Sequence, residues 1–157
     1  MKSYNEALKI LKKSKIKIAD VIVKSNNSLN RVCSTNIYSK NNYPTENNTA
    51  LDGYAINSND TKSIKNKNYK KFKIIGSIYA GSKPFKKLLK KNEAVEIMTG
   101  AIMPKGSDAI IPYEESTLIS DRKNKYILIK KRIKKFKNLR PKGCDYKKND
   151  LIIKKNT

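Results

Sequence analysis

The sequence predicts an α+β fold that is mostly β, with a small N-terminal helical element followed by a β-rich, barrel- or sandwich-like domain. Three observations predict it. Helical periodicity is confined to the start of the chain, several short apolar runs at close spacing follow Phe72, and Gly and Pro punctuate the gaps between them. At 157 residues the chain has room for one ordinary domain or two small ones. A hydrophobic fraction of 38% spread along the whole length argues against disorder, while 31% charged residues and a mean hydropathy of -0.70 imply a thin core.

Ser3 and Glu6 have the spacing of a capping box, and Tyr4, Ala7, Leu8 and Leu11 recur at helical intervals, so a short amphipathic helix is expected from Tyr4 to Lys13. The stretch 16–23 mixes alternation with an apolar run and reads equally as strand or helix. Ser25 is placed to cap a second helix through Leu29, Val32 and Cys33, after which Thr35, Ile37 and Tyr38 look extended. Polar, Asn-rich residues 40–49 around Pro44 read as an exposed loop, and Lys- and Asn-rich residues 61–71 as another. Strands are expected at 72–80, 94–98, 108–113, 126–133 and 151–153, joined by turns at Gly81 to Pro84, Gly100, Pro104 to Gly106 and Pro141 to Gly143.

The formal charge of +23 invites attraction to polyanions. Lysine supplies nearly all of it, however, with arginine only at 31, 122, 132 and 140, and abundant Lys, Asn and Ile are what an adenine- and thymine-rich genome encodes. A nucleic-acid-binding module would want clustered arginines or interleaved aromatics. Genome composition is therefore the preferred reading, and no specific nucleic-acid partner is expected. Cys33 and Cys144 form no CxxC pair, which argues against zinc-site spacing and a disulfide framework. The absence of histidine removes Ser-His-Asp, Cys-His and histidine-ligated metal chemistry. No apolar run reaches signal-peptide or membrane-span length, so a cytoplasmic protein without membrane attachment is expected.

Three loops set a glycine beside a polar or acidic residue near an expected strand end, where backbone N–H groups can face an anion: Asp52-Gly53, Thr99-Gly100 and Gly143-Cys144-Asp145. Singly, each is an ordinary turn pair. In order, they resemble a known family. Asn48-Thr49-Ala50-Leu51-Asp52-Gly53-Tyr54-Ala55 is similar to the N-S-A-M-D-G-Y-A signature of molybdopterin molybdenumtransferases, which include bacterial molybdenum-insertion enzymes and the E domain of gephyrin. Ile97 to Ala101, then Pro104, Gly106, Asp108 to Ile111 and Glu114, resemble the pattern I-M-T-G-A-x-x-P-x-G-x-D-A-V-V-x-x-E. Arg140-Pro141-Lys142-Gly143-Cys144-Asp145 resembles the R-x-x-G-x-D turn, and the resemblance extends over practically the whole chain. Leu51, Ile102, Met103 and Cys144 depart from the usual residues.

The resemblance implies an N-terminal portion of such an enzyme: residues 1–40 as a helical or linker element packing with 139–157, residues 41–138 as the β-rich domain, and the pterin-binding α/β domain and C-terminal β-barrel absent. It implies adenylylated molybdopterin and molybdate as substrates, AMP as product and Mg2+ as the assisting cation. It also implies a homodimer, or a partner chain carrying the α/β domain, because the family's cleft lies between subunits. Asp52, Thr99 and Asp145 then become the catalytic candidates, with Asp52 and Asp145 as magnesium ligands and Thr99 with the Gly100 amide as oxyanion donors. Gly53, Gly100, Ala101, Glu114 and Arg140 become substrate-binding candidates, with support of the Asp145 turn as the alternative role for Arg140 and lysine pairing that for Glu114. The competing expectations are a truncated or split, non-catalytic dimerisation or scaffold module and, from another class, a basic nucleic-acid binder.

Overall fold

The computed structural model describes residues 2–14, 18–64, 68–121 and 123–157. The chain divides into two compact units, Met1–Ile37 with Ile153–Thr157, and Tyr38–Ile152. It passes between them within strands β1 (Ile37–Tyr38) and β10 (Leu151–Ile153). No helix among the described residues is long and apolar enough to cross a membrane.

The first unit holds the one α-helix among the described residues, α1 (Tyr4–Lys13). Its N-terminus is closed as the spacing predicts: Glu6 N–H donates to Ser3 Oγ at 3.3 Å, and Ser3 N–H donates to Glu6 Oε2 at 2.8 Å. Glu6 in the first turn and Lys12 and Lys13 in the last complement the helix dipole. None of its residues is buried. The expected helix from Ser25 to Cys33 does not form; only a single 3-10 turn, Ser25–Asn27, is present. Ser28 Oγ turns back onto Ser25 O at 2.6 Å and Asn30 takes a left-handed φ of 62°, so local side-chain bonding wins over helix propagation. Of the ambiguous stretch 16–23, residues 18–23 are irregular, and 16 and 17 lie outside the described residues. The chain end lies beside Cys33, whose N–H donates to Thr157 O and whose carbonyl accepts from Asn156 N–H.

The second unit is mostly β. Its strands are β2 (Asn48–Thr49), β3 (Gly53–Ile56), β4 (Lys70–Ile78), β5 (Glu93–Ile97), β6 (Ala109–Pro112), β7 (Thr117–Ser120), β8 (Lys125–Ile129) and β9 (Leu139–Arg140). Six of them form one sheet in the order β6-β3-β5-β4-β8-β7, curled into half a barrel, and β2 pairs with β9. Alternation of side chains then builds two apolar layers. Tyr54, Ile56, Ala94, Ala109 and Ile111 join Phe72, Ile127, Ile129 and Ile133 on one face. Ala55, Val95, Ile97 and Ile110 join Ile78, Leu89 and Ala101 on the other. Burial on both faces, in the inner strand β3 and in the edge strand β6, explains the unbroken apolar runs 54–56 and 109–111.

β4 and β5 are parallel, which demands a crossover, and residues 79–92 supply it. Phe85 from that segment rests on Gly76, where an added Cβ would lie 2.8 Å from the ring. The strand expected to reach Ile133 stops at Ile129; Ile133 instead enters the core as an isolated plug, its N–H donating to the buried Thr61 Oγ at 2.9 Å. Within the expected loop 61–71, residues 65–67 lie outside the described residues and Lys70 already belongs to β4.

Candidate functional site

The antiparallel register of β3 and β5 sets Gly53 opposite Ile97, so Asp52, just before one strand, and Thr99, just after the other, meet at the same end of the sheet. Both donors of Thr99, its N–H and its hydroxyl, reach Asp52 Oδ1 at 2.7 Å. The backbone N–H first and the hydroxyl second hold the Asp52 carboxyl below the usual carboxylate range. The result is an ionised, exposed carboxylate locked in one orientation.

Gly53 has a steric reason to be glycine, since an added Cβ would fall 2.1 Å from Ile111 O on β6. Gly100 takes φ 81°, a left-handed conformation suited to glycine, and its N–H donates to Thr49 O at 3.0 Å. Thr49 N–H returns the bond to Ala101 O at 3.2 Å, and Ala101 itself is buried in the second apolar layer. The donors expected to face an oxyanion are thus already engaged, those of Thr99 by Asp52 and that of Gly100 by Thr49.

Asp145 occupies a different constellation. Gly143, at φ 70°, donates its N–H to Pro44 O, and Asp145 N–H donates to Tyr43 O, fixing the turn. The Asp145 carboxylate is ion-paired with Arg140 Nη2 and accepts from Cys144 Sγ at 3.3 Å. Cys144 first, and the Asp145 charge second, push the Arg140 guanidinium above its usual value. Arg140 therefore holds the Asp145 turn. Strand β2 runs between the two constellations, with Thr49 opposite Leu139 and Asn48 opposite Arg140 on one side and Asn48 bridged to Ile102 on the other. Among the described residues, no hydrogen bond or ion pair joins Asp52 or Thr99 to Asp145 or Arg140.

Residues 2–157 match the family described as the MoeA N-terminal region (domain I and II). The chain belongs to that family. Similar proteins include a molybdopterin molybdenumtransferase of Staphylococcus epidermidis, 31% identical over 98% of this chain and 35% of its own length. One from Haemophilus influenzae is 36% identical over 79% of this chain and 28% of its own. A crystal structure of the molybdopterin biosynthesis MoeA protein from Pyrococcus horikosii superposes with a TM-score of 0.83 at 32% identity, covering 96% of this chain and 37% of that one. This chain spans about a third of the length of the relatives it matches.

The MoeA N-terminal architecture brings in residues that the motifs did not single out. Tyr113, directly after β6, donates its hydroxyl to Glu96 Oε1 at 3.0 Å, and Ser77 Oγ donates to Glu96 Oε2 at 2.8 Å. Tyr54 packs edge-on against Tyr113 with ring centroids 5.1 Å apart. Burial first, then the bond to Glu96, pushes the Tyr113 phenol well above its ordinary value, and the nearby charge of Asp52 adds to this. Burial in β5 could have flagged Glu96, an acid set between the apolar Val95 and Ile97. Glu114 is exposed on a short 3-10 turn, Tyr113–Glu115. Lysine pairing falls to its neighbour Glu115, bonded to Lys131 at 2.9 Å and Lys137 at 2.5 Å.

No cluster of three or more His, Cys, Asp or Glu among the described residues is arranged to hold a metal ion. A magnesium site uses one or two carboxylates together with water and phosphate oxygens. Asp52, ionised and exposed, suits the role of a single carboxylate ligand, whereas the Asp145 carboxylate is paired with Arg140 through one oxygen.

Proposed function

We propose that this chain supplies one wall of a molybdenum-insertion site in molybdenum cofactor biosynthesis. The substrates are adenylylated molybdopterin and molybdate, and AMP is released. The opposite wall belongs to an α/β domain, carried by a second subunit or a partner chain. The observation that carries this reading is the Asp52–Thr99 pair, in which two separate family motifs fold onto one carboxylate oxygen. Relatives named molybdopterin molybdenumtransferase support the substrate class.

In this role Thr99 is a positioning residue and Asp52 the group presented to the substrates. Holding the carboxylate ionised and oriented removes the reorganisation that a freely rotating side chain would need as charge moves at the reacting centre. Asp52 is also the residue of this wall that would offer oxygen to magnesium, whose charge, when bound, offsets that of phosphate oxygens. The lysines on the surface raise the local concentration of anionic substrates. Donors to molybdate and phosphate oxygens come from the opposite wall, or from Thr99 once substrate displaces Asp52.

The test is reconstitution: the purified chain is mixed with molybdate, magnesium and adenylylated molybdopterin, with and without a separately expressed α/β domain. AMP release is expected only in the full mixture. Asp52→Asn should abolish most of it while circular dichroism stays unchanged, and undiminished release by that variant would defeat the assignment.

A further inference from the structure

After β8 the chain runs Lys130-Lys131-Arg132-Ile133-Lys134-Lys135-Phe136-Lys137, six cations in eight residues with an aromatic among them. Lys131 and Lys137 are neutralised by Glu115. Lys130, Arg132, Lys134 and Lys135 have no acidic partner among the described residues. The segment is nonetheless firmly held. Ile133 is buried and donates to Thr61 Oγ, Phe136 N–H donates to Asp108 O at 2.8 Å, and Ile110 N–H donates to Lys137 O at 3.0 Å.

Phe136 is the anomaly in this loop. Its φ is 63°, while the other non-glycine residues at positive φ among the described residues, 30, 92, 138, 149 and 156, are all asparagines. Asparagine tolerates that region; a bulky aromatic is an outlier there. Burial does not explain the choice, because the side chain is 57% exposed. The Lys135 ammonium lies 4.9 Å from the ring centroid, and Arg132, Lys134, Lys135, Phe136 and Lys137 line an open depression of about 470 Å³. A disfavoured backbone conformation that keeps a ring in solvent among unpaired cations points to a ligand.

We propose that this loop binds a mononucleotide, with its phosphate on Arg132, Lys134 and Lys135 and its base stacked on Phe136. A bare inorganic anion would have no use for the ring. A nucleic-acid strand would need successive aromatic platforms along an extended groove, and this depression offers one. The inference is argued from the loop alone, and because AMP is also the product in the insertion reading, it is the loop variants that separate binding here from binding at the Asp52–Thr99 wall.

The full chain is titrated calorimetrically with AMP, adenosine and inorganic phosphate at physiological ionic strength. Glycine adopts left-handed φ freely, so Phe136→Gly removes the ring without straining the fold. It should weaken AMP roughly five- to 150-fold, as loss of base stacking does, and leave phosphate unchanged. Replacing both Lys134 and Lys135 by Ser should weaken AMP and phosphate alike. The same charge change at Lys86 and Lys87, in the crossover segment, should weaken neither. AMP binding no tighter than phosphate, an undiminished Phe136→Gly, or equal losses from the Lys86 and Lys87 control would each overturn the proposal.

Discussion

The two units use the same apolar residue types to opposite ends. In the sheet unit, Ile56, Phe72, Ile97, Ile111, Ile127 and Ile129 are all fully buried. In the helical unit, Tyr4, Leu11, Ile18, Ile22, Leu29 and Val32 remain exposed. Composition does not separate them. The sheet lays two apolar layers against its own strands and crossover, whereas α1 has no buried residue. An amphipathic pattern therefore states which face of an element seeks cover, and only long-range topology states whether the chain provides it.

The strongest way to break this contrast is to cut into the sheet core. Phe72 lies in β4 between β5 and β8 and has no exposed surface. Phe72→Ala should cost about 3–5 kcal/mol, from lost transfer energy and the cavity left behind. Urea denaturation followed by far-ultraviolet circular dichroism measures it. A loss below about 1 kcal/mol, the ordinary level for a point substitution, would mean that the layer around Phe72 is not what stabilises this unit.

A smaller effect comes from acid. Thr99, through its N–H and then its hydroxyl, depresses Asp52, and bonds from Lys137 and then Lys131 depress Glu115. A carboxyl whose pKa is lower folded than unfolded stabilises the fold above its unfolded value, near pH 4, and loses that contribution as pH falls through the folded value. Asp52 precedes β3 and Glu115 lies between β6 and β7, so acid should act on the sheet unit. Asp52 is exposed, and Glu115, though half-buried, pairs with the exposed Lys131, so screening keeps the contribution small. Asp52→Asn and Glu115→Gln should each flatten the decline in stability below about pH 4 and leave neutral stability slightly lower. An acid limb identical to the parent's would show that these bonds do not hold in solution.

What the sequence made legible follows the same division. Spacing located α1 to the residue, because a capping box and a 3.6-residue period are local. The strands at 70–78, 93–97 and 109–112 were legible to within a few residues from apolar runs and turn chemistry. β3 was hidden inside a motif that read as site rather than strand, and β7 and β9 are too short and polar to announce themselves. The helix expected from Ser25 failed because Ser28 and Asn30 offered closer hydrogen bonds and a left-handed turn. At the candidate site, the meeting of Asp52 with Thr99 depends on a register spanning 47 residues, and so does the capture of Asp145 by Arg140 depend on how the β2–β9 pairing aims its turn. Residue types alone did not carry the first pair, whereas the five-residue spacing already offered Arg140 as a support for the Asp145 turn. Glu96 and Tyr113 went unnoticed because their significance is mutual.

The smallest effect tests the other side of the contrast. Leu11 is 69% exposed on α1, so truncation to alanine removes little buried surface. Alanine is also at least as good a helix former as leucine, so the helix should not fray. Leu11→Ala should shift stability by no more than about 0.5 kcal/mol, the range of ordinary surface changes, with helical ellipticity unchanged. The measurement is the same urea titration used for Phe72, run at several protein concentrations. A loss of about 2 kcal/mol or more would require that Leu11 be buried in solution, as large truncations cost that much only where a cavity is left. Dependence of that loss on protein concentration would then assign the cover to another molecule, since only association responds to mass action.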